Sequence, residues 1–209
     1  MLNKSYPAEL VWAASCAAQR VNGSYIKYQV DSNMRSNRQL IIEYIEKDIF
    51  LISEIDYKTA REMKRYFQGM IFKILAEQYI TPFEKAAIEI SAKDEISHLD
   101  IALIAAIPSI YYVKLKEDNI NERLANARGG TFNKDEKINT TIELLKSVYS
   151  RKWAKYYNTG ITIDDKIIFF STYIALKTDH KYDISGKVID LINENTSKLK
   201  YVKVQKYGN

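Results

Sequence analysis

The sequence is short of the residues from which many enzymes and redox proteins build their sites. Only seven glycines occur in 209 residues, and none stands in the G-x-G-x-x-G or G-x-x-x-x-G-K-[ST] spacing. A Rossmann dinucleotide site and a Walker phosphate loop need glycines at those offsets to bring backbone N–H groups up to phosphate, so neither is expected. The single cysteine, Cys16, rules out an internal disulfide and a thiolate metal cage. No apolar stretch approaches a bilayer span and the first residues lack a signal-peptide pattern. The expected location is therefore the cytoplasm, with no membrane contact. The two histidines offer little acid–base or metal chemistry. Glu95-Ile96-Ser97-His98 has the Glu-x-x-His spacing of metal-binding helices, but a di-iron bundle needs that motif twice and His180 has no matching carboxylate. Cys16, in an alanine-rich stretch, reads as a small core residue. No catalytic residue, metal or cofactor is assigned, and no enzymatic activity is expected.

What the chain does have is apolar residues enough for a core, at 46%, and an uneven charge. Cut at Gly129-Gly130, the first part holds 17 Lys+Arg against 17 Asp+Glu, and the second holds 14 against 9. The whole net charge of +5 thus lies after the glycines. A local basic excess points to a polyanionic partner; a lysine-rich surface kept for solubility is the competing explanation.

The apolar period changes at the same place. Ahead of the glycines it is helical. Ser5-Tyr6-Pro7 starts a helix running to Val21, capped by Asn22-Gly23. Others are expected at 38–47 and, after an Asp56 cap, at 57–79. Thr81-Pro82-Phe83-Glu84 is a capping box that opens the next. Two or three more follow, broken at Pro108 and ending at Arg128. The stretch 97–118 loosely suggests a helix-turn-helix, but its turn glycine is missing and packed helices are the simpler reading.

After the glycines, Ile138, Thr140, Ile142 and Leu144 alternate with a period of two, as in a half-buried strand. Further strands are expected at 154–163, 166–173, 181–191 and 198–206, with a helix-like connector at 175–179. This is the layout of an OB-fold, and an SH3-like barrel is the nearest competitor. The expected class is α+β: an N-terminal all-α helical domain (1–128), then a C-terminal five-stranded OB-like β-barrel (129–209).

With Asp164-Asp165 as a two-residue turn, paired positions of the second and third strands sum to 329. Tyr157, Ile161 and Phe170 then face the core. Tyr156, Phe169 and Tyr173 share the outer face, where Gly160 leaves room above Phe169. A three-residue loop would reverse the faces and send Tyr156, Phe169 and Tyr173 inward. On such a surface bases stack on aromatics while lysines follow the phosphates. Arg151, Lys152, Trp153 and Lys155 lie just before the second strand, and Tyr201 and Lys203 could extend the groove from the last one. These nine residues form the expected nucleic-acid-binding set. A protein-binding surface on the barrel or the helical domain is the alternative.

Val148-Tyr149-Ser150-Arg151-Lys152-Trp153 and Ile184-Ser185-Gly186-Lys187-Val188 resemble segments of OB-fold nucleic-acid-binding domains. The Pro7-Ala8-Glu9-Leu10-Val11-Trp12 opening and the helices-then-barrel layout are similar to those of small tailed-bacteriophage proteins. The resemblance implies a non-catalytic protein that binds single-stranded DNA or RNA in phage nucleic-acid metabolism, in the host cytoplasm. A module that binds or inhibits a host or phage protein is the other implied role.

Overall fold

Helix starts in the N-terminal half are fixed by side chains that satisfy the first backbone N–H groups. The computed structural model describes residues 4–29, 34–47 and 49–206. Helix α1 (Ala8–Asn22) ends at Gly23, whose φ of 67° is the left-handed conformation glycine adopts without steric cost. Capping boxes open α2 (Asn37–Glu46) with Ser36 and Gln39, and α3 (Glu54–Gly69) with Ser53 and Asp56. The cap of α3 is therefore Ser53, and Asp56 is its reciprocal partner. This helix stops at Gly69 instead of reaching residue 79, and a separate short α4 (Ile71–Leu75) follows. The Thr81–Glu84 box opens α5 (Pro82–Ser91) as the sequence predicts.

The N-terminal half is helical, as expected, with two local departures. Helix α6 (Ile101–Asn126) runs unbroken through Pro108, so there is no helix-turn-helix across 97–118. Proline removes one N–H from the ladder, but the turns on both sides of it carry the helix through. The region is also not purely helical. Strand β1 (Ser5–Pro7) pairs antiparallel with β2 (Glu95–Ser97), Tyr6 opposite Ile96. Glu95 lies in that strand and His98 in the turn after it, which undoes the helical metal-ligand spacing. The core of this unit gathers Trp12, Ile41, Met63, Phe67, Ile96 and Ile104.

The chain divides into two compact units, Met1–Leu115 and Lys116–Asn209, so the division falls inside α6, ahead of the glycine pair. The charge contrast survives that shift: 14 basic against 14 acidic residues, then 17 against 12.

In the second unit β3 (Lys137–Ser150), β4 (Lys155–Thr162), β5 (Ile167–Thr172), β6 (Lys181–Asn193) and β7 (Thr196–Lys206) close into a barrel in the order β3-β4-β5-β7-β6. All neighbours are antiparallel except β5 and β7. A closed five-stranded barrel of this kind is consistent with an OB-like fold. The segment 173–180 is turn and bend, without the helical connector expected there. Inside the barrel, Ile142, Leu144, Ile168, Phe170, Ile184 and Val188 pack together. A register shift between Leu144 and Lys146 turns the next residue, Leu145, into a second cluster with Ile120, Ala127, Ile161, Ile167 and Leu124. The end of α6 thus covers one stretch of the barrel's outside.

Candidate nucleic-acid interface

The β4–β5 hairpin turns through three residues, 163–165. Thr162 N donates to Lys166 O at 2.9 Å, and Asp165 N to Thr162 O at 3.0 Å. Asp165 takes the left-handed conformation, φ 60°, which aspartate tolerates better than most side chains. Its carboxylate accepts from Arg128 N at 2.8 Å and its carbonyl from Gly129 N at 3.0 Å. Gly129 lies so close under the turn that a Cβ there would stand 2.0 Å from the Asp164 carbonyl oxygen. Only glycine permits that approach, and the contact holds the loop at three residues.

The longer loop shifts the register by one. Ile161 is opposite Ile167, Thr159 opposite Phe169 and Tyr157 opposite Ser171. Since Phe170 and Ile168 point into the core, β5 keeps its expected orientation while β4 presents the other set of side chains. Tyr157, not Tyr156, shares the outer face with Phe169 and Tyr173. The predicted placement of Tyr156 is thereby corrected: it lies opposite Thr172 and Tyr149, with its ring 5.0 Å from that of Tyr149. Gly160 faces inward, where a Cβ would meet Glu143 O at 2.9 Å and Ile142 Cδ1 at 3.0 Å, so it makes no room for a base. Asn158, fully buried beside it, donates to Thr172 Oγ1 at 3.0 Å.

Register across the sheet orders the outer residues into rows. Lys146, Thr159, Phe169 and Lys198 form one, Val148, Tyr157 and Ser171 the next, and Ser150 and Lys155 the third. The rings of Tyr157 and Phe169 are stacked, 15° from parallel with centroids 5.8 Å apart. Lys155 Nζ sits 4.8 Å from the Tyr173 ring, and Lys152 Nζ 5.1 Å from the Trp153 ring in the turn at 151–154. Tyr173 is 75% exposed and Trp153 59%. Arg151 and Lys152 are exposed on the same turn. Tyr201 and Lys203 are exposed on β7 beyond the last β5–β7 contact at Lys198, Lys203 opposite Ser185 of β6 and Tyr201 in the register shift beside it. Pairing brings Lys198, not these two, beside Phe169.

The electrostatics leave this face positive. Three carboxylates of the barrel unit are tied elsewhere, Asp179 to Lys116 at 2.7 Å, Glu143 to Arg123 at 2.8 Å and Asp135 to Lys187 at 2.7 Å, while Asp190 stands opposite Lys198 and Glu194 lines the cleft beside Phe169. The Arg123 guanidinium, bonding both Glu143 oxygens, holds that carboxyl below its ordinary value. Lys187 does the same to Asp135. Arg151, Lys152, Lys155 and Lys198 belong to none of these pairs. Next to Phe169 the surface deepens into a cleft of about 860 Å³, walled by Leu124 and Ala125 of α6 and by the β6–β7 turn.

Sequence reasoning missed Tyr157, Lys146, Lys198 and this cleft. Tyr157 was within reach, because the Asp164-Asp165 pair allows a three-residue loop as readily as a shorter one. The cleft was not, because it depends on where α6 lies against the barrel. Among the described residues, no group of three or more His, Cys, Asp or Glu is placed to hold a metal, and no helix is long and apolar enough to cross a membrane. No known protein family, curated protein or solved structure matches the chain.

Proposed function

We propose that the barrel binds single-stranded nucleic acid, without catalysis, across the outer face of β4 and β5. The observation that carries this reading is the stacked Tyr157–Phe169 pair set among Lys146, Lys155 and Lys198, which form no ion pair among the described residues. Each base stacked on such a ring adds about 1–3 kcal/mol, and lysine contacts to phosphate make the affinity fall with salt. The resemblance to tailed-phage proteins would place the activity in phage nucleic-acid metabolism within the host cytoplasm. The test is a titration of labelled DNA and RNA oligonucleotides at two salt concentrations. Binding should be strongest at low salt and weaken in Tyr157→Ala and Lys155→Ala. No binding of either nucleic acid at low salt refutes it.

A second reading has its own observation. Helix α4 buries none of its residues, with Phe72 71% and Leu75 73% exposed, which is the kind of apolar surface a protein partner covers. A protein partner retained after nuclease treatment and a high-salt wash, and lost in Phe72→Asp, would favour this reading.

A further inference from the structure

We infer that the cleft beside Phe169 takes a guanine base, so that binding depends on where guanine falls in the strand; this rests on the nucleic-acid reading above. A cleft of about 860 Å³ suits a nucleotide-sized ligand. Leu124, Ala125 and Phe169 give it the apolar surfaces a base can lie against. Its polar end is lined by Asn193, Glu194 and Asn195 of the β6–β7 turn, with Glu194 the acidic residue among them. Lys146, the cation of the cleft, already donates to Asn121 Oδ1 at 2.9 Å, and Glu194 belongs to none of the barrel's ion pairs. A carboxylate on a basic surface repels phosphate and calls for N–H donors. Among the bases, guanine alone has two adjacent donors on its pairing edge, N1–H and N2–H2, matching the two oxygens of a carboxylate. Adenine and cytosine set a donor beside an acceptor, and thymine and uracil set one donor between two acceptors. Asn193 completes the match: its Oδ1 accepts from Asn195 N at 3.0 Å, which leaves its NH2 to donate to guanine O6.

The experiment compares three equal-length DNA oligonucleotides at low salt: all thymine, one central guanine, and one central hypoxanthine, which lacks the N2 amino group. The guanine strand should bind about tenfold tighter than all-thymine, as a bidentate base contact gives, and hypoxanthine should lose most of that gain. Glu194→Gln should abolish the guanine preference, while all-thymine binding holds or tightens because a phosphate-repelling charge is lost. Equal affinity for guanine and thymine strands, or a preference that survives Glu194→Gln, overturns the inference while the nucleic-acid reading stands. If no strand binds, both fall together.

Discussion

Phe169 and Phe170 are neighbours in sequence and opposites in the fold, which makes their alanine variants a sharp test of the hairpin register. Phe170 is fully buried among Ile142, Leu144 and Val188. Truncating a phenylalanine in such a core costs about 3–5 kcal/mol. For a domain of this size each kcal/mol shifts the melting temperature by about 4–8 °C, so Phe170→Ala should melt at least ~12 °C lower. Phe169→Ala forfeits the ring contact with Tyr157, about 0.5–1.5 kcal/mol, with little cavity to follow because the side chain is only half-buried. Its main cost should fall on ligand affinity: losing one stacked base weakens binding by about 1–3 kcal/mol, or about 5- to 150-fold. Urea unfolding, followed by hydrogen exchange of amides across 137–206, measures the first effect within the barrel itself. Anisotropy of a labelled oligonucleotide measures the second. If Phe169→Ala unfolds as easily as Phe170→Ala, the face assignment is wrong; if it is stable and binds normally, the stacking surface is wrong.

Gly129→Ala should lose about 1–3 kcal/mol in urea unfolding, because its Cβ would strike turn backbone. Gly69→Ala, with nothing within 4 Å, should lose none and serves as the control. In the helical unit, burial raises the Asp56 pKa, but hydrogen bonds from Arg20 and Ser53 outweigh it and leave the carboxyl below its ordinary 3.8. A depressed native pKa stabilises the fold above that ordinary value, and the contribution fades as pH falls through the lower native one. Asp56→Asn should therefore cost about 1–3 kcal/mol at neutral pH and narrow the gap between urea midpoints at neutral pH and at about pH 3. Burial, aided by the Asp56 charge, pushes the Cys16 thiol up to about 12. Native protein should resist a thiol reagent at about pH 8, then react on unfolding; rapid native labelling would contradict that burial.

What the sequence could disclose depended on how local its cause was. The Thr81–Glu84 box and the Gly23 terminus are written in a few adjacent residues, and both are found as read. Equivalent signals at Ser36-x-x-Gln39 and Ser53-x-x-Asp56 are equally local and open α2 and α3. Alternation located the barrel strands, since a period of two survives any tertiary detail. It could not assign the faces of β4. The rule that apolar residues point inward fails there, because Ile161 is covered from outside by α6 while Asn158 and Gly160 turn inward. The loop length that sets the register rests on Gly129, far from the hairpin in sequence. Tyr157 was misplaced for that reason, whereas Phe169 was not.

Because Ile120 and Leu124 roof the strip formed by Leu145, Ile161 and Ile167, the barrel is not separable at the glycine pair where composition changes. A fragment beginning at Gly129 would lose that roof and the Arg128 end of the clasp on the Asp165 turn. It would present bare aliphatic side chains on a β-surface, the combination that drives insoluble expression. The inheritable module is therefore a barrel with about three helical turns attached in front, from residue 116. Gene fusion or recombination can exchange what precedes that point more freely than the turns themselves. A descendant that kept the barrel alone would need another apolar segment to shield the same strip.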